Sequence, residues 1–188
     1  MTADLDRLHA RLVDRAAGDG LLDVAYRTVD SPIGTLLLAS TEAGLVRVAF
    51  EIENHDEVLQ MLADRVSPRV LRAPGRLDDA ARALESYFAG SGPGLDIALD
   101  LQLTSGFRRE VLGHLRRIPY GATRSYAAVA AETDSPGAVR AVGTACARNP
   151  LPLVIPCHRV VRSDGSPGRY AGGEQAKLTL LALESRVL

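Results

Sequence analysis

The chain has 188 residues, 46% of them hydrophobic, a net charge of −1 and two cysteines, Cys146 and Cys157. That is enough apolar material for one large domain or two small ones. It argues against a disulfide framework or a structural zinc site, because neither cysteine lies in a CxxC pair or beside spaced histidines. No apolar run approaches the ~20 residues of a membrane span, and Met1 to His9 carry Asp4 and Asp6 where a targeting segment would be basic. A cytoplasmic, monomeric protein without metal or cofactor is expected. The charge is unevenly divided. Residues 1–103 hold 10 Arg against 17 acids, a balance of −7, while residues 104–188 hold 11 Arg and one Lys against 6 acids, a balance of +6. A basic half of this kind points to a polyanionic partner.

In chain order, Leu5, Leu8, Leu12 and Val13 recur at helical spacing, and Gly18 to Gly20 end the segment, which predicts an amphipathic helical extension over residues 1–23. Val24 to Phe50 contain three β-rich stretches. They are broken at Asp30-Ser31-Pro32-Ile33-Gly34 and Glu42-Ala43-Gly44, as in an antiparallel meander. Helices are predicted over Asp56 to Arg65 and Leu77 to Phe88. The Gly90 to Gly94 cluster and Leu95 to Leu103 then form a strand and a linker, which closes a small α/β domain at residues 24–103.

Residues 104–188 read differently. Ser105 caps a helix carrying Phe107, Val111, Leu112 and Leu115, which must stop at Pro119-Tyr120-Gly121. Ser125 to Glu132 and Ala138 to Arg148 make a pair of short helices around Asp134-Ser135-Pro136-Gly137, with Pro136 suited to a first helical position. Such a pair is the helix-turn-helix signal. The expected fold class is therefore α/β (α+β), with the small sheet domain followed by a mostly helical, winged helix-turn-helix-like domain.

The chemistry concentrates in Asn149-Pro150-Leu151-Pro152-Leu153-Val154-Ile155-Pro156-Cys157-His158-Arg159-Val160-Val161. Three prolines bracket a short apolar strand and stiffen the backbone around a thiol. A free thiol of pKa ~8.5 is mostly protonated at neutral pH, so nucleophilic work needs a base or a positive neighbour, and His158 and Arg159 stand next door. Alternate residues of a strand face opposite ways, which suggests a bridging water between Cys157 and His158. Glu184, on the last helix, is the candidate to orient the histidine. Cys146 reads as packing, and His9, His55 and His114 as ordinary histidines.

Pro156-Cys157-His158-Arg159-Val160 with Asn149-Pro150 upstream resembles the active-site signature of the O6-alkylguanine-DNA alkyltransferases. The resemblance extends through Ile118-Pro119-Tyr120-Gly121, Ser125-Tyr126, Arg140-Ala141-Val142-Gly143 and Gly172-Gly173, and Asp30 to Gly34 is similar to the start of the family's N-terminal domain. It implies repair of double-stranded DNA carrying O6-alkylguanine, and also O4-alkylthymine, approached from the minor groove. It also implies that the alkyl group passes irreversibly, once per molecule, to Cys157, with His158 acting through a water, Glu184 orienting it and Asn149 stabilising the turn before the cysteine. The resemblance further implies that Tyr126 helps flip the nucleotide and that Arg140 fills the gap it leaves. The carbonyls of Cys157 and Val160 accept from the guanine amino group, and Tyr126 or the Tyr170 to Gly173 amides assist the leaving oxygen. Ala171 stands where some relatives have serine, Arg169 is bulkier and more basic than the pattern expects, and the N-terminal helix is longer. The competing readings are a cysteine hydrolase, a non-catalytic sensor of alkylated DNA and a sequence-reading regulator. For the last, a recognition helix rich in alanine is badly equipped.

Overall fold

A computed structural model describes residues 2–90 and 95–185. The chain opens with helix α1 (Thr2–Gly18), then strands β1 (Val24–Val29), β2 (Leu36–Thr41) and β3 (Gly44–Phe50), helix α2 (His55–Arg65), strand β4 (Val70–Arg72) and helix α3 (Asp78–Phe88). The four strands form one sheet in the order β3-β2-β1-β4. β1 is antiparallel to β2 and parallel to β4, and β2 is antiparallel to β3. The period-two pattern is sorted between two layers. Leu37, Ala39, Val46 and Ala49 join Val58 and Leu62 of α2 on one face. Leu36, Leu38, Leu45, Val48 and Phe50 face α3 and the C-terminal helices in a larger, continuous core.

The second half contains α4 (Gly106–Leu115), β5 (Arg124–Ser125), α5 (Tyr126–Ala131), α6 (Val139–Ala147), β6 (Val160–Val161) and α7 (Gly173–Ser185). β5 and β6 form a two-stranded parallel pair. The Ser125 hydroxyl oxygen caps α5 by accepting from the Ala128 amide at 3.0 Å. α5 and α6 are the expected helix pair, so the mixed α/β architecture predicted from the sequence is present.

Several local expectations are corrected. α1 forms, but it docks through His9, Val13 and Ala16, while Leu5, Leu8 and Leu12 remain 53–62% exposed. Ser105 occupies the cap position of α4 without a side-chain cap bond. Pro136 sits inside the turn closed by the Ala138 amide donating to the Ser135 carbonyl (2.9 Å), and not at the first helical position. The short strand β4 was not foreseen, since three residues carry too little periodicity to register. Leu95 to Leu103 contribute one bridge, Leu45 to Leu99, instead of a regular strand, and the Gly90 to Gly94 cluster falls mostly outside the described residues. Cys157 lies on a 3-10 turn, Cys157–Arg159, preceding β6, so strand alternation does not govern how it and His158 point.

Gly44 fixes the corner where β3 begins beside residues 98–100. Its φ is +139°, and an added Cβ would fall 2.4 Å from the Ala98 carbonyl oxygen. Gly44→Ala is expected to destabilise the fold by about 2 kcal/mol or more, read as a lower urea midpoint at unchanged slope.

Candidate active site

The loop between α6 and the 3-10 turn is built around Asn149. Its Oδ1 accepts from the Leu151 amide (3.0 Å), its Nδ2 donates to the Ile155 carbonyl (2.8 Å), and the same Nδ2 lies 3.2 Å from Cys157 Sγ. One buried amide thus satisfies both ends of the loop and touches the thiol. Pro150 anchors the loop to the sheet domain, where its carbonyl accepts from the Val48 amide at 2.9 Å and from Arg47 Nη1 at 3.2 Å.

The turn delivers Cys157, His158 and Arg159 into the interior, at 2%, 0% and 6% exposure. Glu184, near the end of α7, is 2% exposed and receives five hydrogen bonds. Its Oε1 accepts from Tyr87 Oη (2.6 Å), His158 Nε2 (2.8 Å) and Arg159 Nη2 (2.9 Å). Its Oε2 accepts from Arg159 Nε (2.8 Å) and the Gly121 amide (3.2 Å). An ionised carboxylate only accepts, so Nε2 carries the imidazole hydrogen and Nδ1 the lone pair. His158 Nδ1 is buried and has no hydrogen-bond partner among the described residues. The predicted pairing of His158 with Glu184 is present, and no direct hydrogen bond joins Cys157 to His158 among the described residues.

Burial pushes the Cys157 thiol up to about 11, against the opposing pull of the Asn149 hydrogen bond and the charge of Lys177. Burial also holds His158 below its usual range, although Glu184 raises it. The resting pair is therefore a thiol beside a neutral imidazole. Glu184 is held at about 2; burial opposes this, but the hydrogen bonds from His158 and Arg159 outweigh it.

Around this centre, Val160 is wholly buried and its carbonyl accepts from Lys177 Nζ at 2.6 Å. Tyr126, half-buried at the start of α5, lies with its ring 6.0 Å from Lys177 Nζ and its hydroxyl against Gly168. Tyr170 packs edge-on to Phe50 (5.3 Å) and to the His158 ring (6.3 Å), with its hydroxyl buried and unpartnered among the described residues. Ala171 follows at partial burial, and a Cβ on Gly172 would meet the Phe50 ring at 2.7 Å. Arg140 projects from the solvent side of α6, where Ala141, Thr144 and Ala147 are also exposed. It lies on that surface and not among the buried groups.

Sequence reasoning missed Tyr87, Lys177, Arg47 and Phe50. Lys177 had a signal, being the only lysine among 22 cationic residues, and it is wholly buried. Arg47, a charge between Val46 and Val48 in mid-strand, also stood out; it pairs with Glu53 at 2.5 Å. Among the described residues no cluster of His, Cys, Asp or Glu could hold a metal ion, and no helix is long and apolar enough to cross a membrane.

Two family models match nearly the whole chain: the ribonuclease-like domain of 6-O-methylguanine DNA methyltransferase at residues 24–101, and its DNA-binding domain at residues 106–186. A methylated-DNA–protein-cysteine methyltransferase of Mycolicibacterium paratuberculosis is 42% identical over 87% of this chain and 93% of its own length. That of Methanosarcina barkeri is 39% identical over 87% and 98%. The crystal structure of Mycobacterium tuberculosis O6-methylguanine methyltransferase superimposes with a TM-score of 0.76 at 37% identity, covering 87% of this chain and 93% of that one. A structure of the M. tuberculosis protein in complex with DNA gives 0.74, also at 37% identity, covering 86% and 93%. The chain belongs to the 6-O-methylguanine DNA methyltransferase family.

The geometry predicts an acid-sensitive clamp. With its carboxyl depressed from the ordinary 4.5 to about 2, Glu184 contributes stability that is fully present above about pH 4.5. That contribution is lost as the pH falls through about 2, and its size is on the order of 3 kcal/mol. Glu184→Gln should be less stable than wild type at neutral pH, and the gap should close across this window in acid denaturation followed by circular dichroism.

Proposed function

We propose that the chain repairs DNA by moving a methyl or other alkyl group from the O6 atom of a damaged guanine, and from O4 of alkylthymine, to Cys157 Sγ. The observation that carries this reading is the buried row of thiol, imidazole and carboxylate in which His158 Nδ1, without a hydrogen-bond partner among the described residues, can take a proton. A water on Nδ1 relays the thiol proton to the imidazole while Glu184 and Arg159 hold the ring. The sulfur lone pair forms a bond to the alkyl carbon, the carbon–oxygen bond breaks, and its electron pair leaves on the guanine oxygen. Tyr126 or an amide of the Tyr170 to Gly173 loop supports the charge developing there. A thioether has no leaving group that His158 could help displace, so each molecule acts once. No cofactor is needed, and the two cysteines, both free, suit a reducing cytoplasm.

With Cys157 only 2% exposed, the base must leave the stack to reach it, at a cost of roughly a few kcal/mol. Exposed Arg140 on α6, flanked by Ala141, Thr144 and Ala147, can enter the minor groove and occupy the gap, because small neighbours let the helix backbone approach closely. Asn149 keeps the cysteine turn in place, and in this scheme the carbonyls of Cys157 and Val160 accept from the guanine amino group, the latter sharing its oxygen with Lys177 Nζ. One monomer suffices for this scheme.

Intact-mass spectrometry after mixing with an oligonucleotide carrying O6-methylguanine should show a gain of one methylene, confined to Cys157 by peptide mapping and stopping at one per molecule. Repeated turnover would make the protein a cysteine hydrolase, and tight binding without a mass change would make it a damage sensor. Cys157→Ser is expected to abolish transfer and keep DNA binding. Arg140→Ala should slow repair of duplex about tenfold, part of the cost of roughly a few kcal/mol for extruding a base, while leaving reaction with a free alkylguanine base within about twofold of wild type. Equal loss on both substrates would remove Arg140 from the extrusion step.

A further inference from the structure

Tyr87 belongs to α3 of the sheet domain, 97 residues before Glu184 in the chain, yet it is 2% exposed and reaches the buried carboxylate. Its hydroxyl donates to Glu184 Oε1 at 2.6 Å, the same oxygen that accepts from His158 Nε2, and lies 3.5 Å from that nitrogen. The ring is held edge-on by Phe88 (5.3 Å between centroids) and Tyr120 (6.0 Å), so the hydroxyl has one direction in which to point. Burial and the charge of Glu184 push the phenol far above its usual range, so it stays a donor at every pH at which the protein works.

We propose that Tyr87 is a positioning residue for the transfer reaction, its hydroxyl setting how strongly Glu184 pulls on His158 and hence the pH at which the imidazole is free to act as base. The inference rests on the alkyl-transfer reading above. Donors that share one carboxylate oxygen weaken one another, because each draws on the same negative charge. Tyr87 and Arg159 Nη2 both draw on Oε1, so the pull left for the His158 hydrogen is moderated. The other groups facing His158 are Lys177 from α7, Tyr170 from the preceding loop, and Cys157 and Arg159 from its own turn; Tyr120 also faces Glu184. The cations Arg159 and Lys177 disfavour a protonated imidazole and Glu184 favours it. With the Tyr87 donor removed, Oε1 regains negative charge, His158 accepts a proton more readily, and the base is lost at a higher pH. The sheet domain would in this way take part in the chemistry, beyond covering it.

The test is the rate of methyl transfer as a function of pH for wild type and Tyr87→Phe on one methylated oligonucleotide, with the His158 ring followed in parallel by 15N NMR. The acid limb of the Tyr87→Phe profile should move to higher pH. At the acid end its rate should fall about threefold or more, while on the alkaline plateau the two proteins stay within about twofold. A protein carrying 2,3-difluorotyrosine at position 87, a stronger donor, should move the limb the opposite way, and it keeps the test intact if the phenylalanine variant folds poorly. A limb unmoved by either change, whether the rate is unaltered or lowered equally at all pH, overturns the inference and leaves Tyr87 as packing. Wild type that transfers no alkyl group at all overturns the functional reading itself, an outcome distinct from an immobile limb in an active protein.

Discussion

A carboxylate removed from water costs several kcal/mol unless its charge is matched and its lone pairs are filled, and the buried Glu184 meets that demand with donors from three other parts of the chain. Tyr87 comes from α3, the Gly121 amide from the loop after α4, and His158 and Arg159 from the cysteine turn, while α7 carries the carboxylate itself. The sheet domain, the last helix and the nucleophile's turn are consequently fixed to one another at a single point. Arg159 decides the protonation of the set. Its guanidinium is always charged and sits as a fork against both carboxylate oxygens, so Glu184 has its counterion already and does not require a protonated His158. The histidine can remain neutral, which is the state a base needs.

The thiol is governed by an opposed pair of effects. Burial disfavours the thiolate, while the Asn149 amide and the Lys177 charge favour it, and burial prevails at rest. A cysteine kept as a buried thiol is protected from oxidation and from stray electrophiles, since reactivity follows thiolate character and exposure. Lys177 serves two groups at once, through its hydrogen bond to the Val160 carbonyl and its charge toward Cys157. An arginine, used at the other 21 cationic positions, is planar and spreads its charge over a fork of donors, where the lysine ammonium is a compact point charge.

Much of this was legible in the sequence, for reasons that differ by residue. β1 to β3, α2, α3 and α4 follow from periodicity and turn chemistry, which are local. Cys157, His158 and Asn149 could be nominated because they lie in a stretch that matches a family signature, and Glu184 because the last helix could fold back over the cysteine; the structure brings Asn149 to Cys157 and Glu184 to His158. The turn conformation of Cys157 was misread as strand, since a proline-flanked apolar run looks extended whichever way it folds. α1 was read correctly as a helix, but its docking face depends on residues 72–76, which nothing within the helix reveals. Tyr87 meets Glu184 across 97 residues of chain. No local pattern encodes that contact, and only the packing of α3 against the C-terminal half creates it.

The two halves carry opposite charge, and the structure gives that asymmetry a use. In the proposed scheme a polyanion is drawn to the basic half, where α6 carries exposed Arg140 and small residues, and is turned away from the acidic sheet domain. Yet the sheet domain touches each segment on which the nucleophile depends. Arg47 and Val48 hold Pro150 before the cysteine, Phe50 stacks against the Tyr170 to Gly172 loop, and Tyr87 holds Glu184. In the alkyl-transfer scheme proposed above, a sulfur must be positioned against one carbon to within about half an ångström, which needs supports that do not yield when DNA binds. Those supports lie on the acidic half, so the scheme separates the surface that would meet the duplex from the frame that holds the thiol.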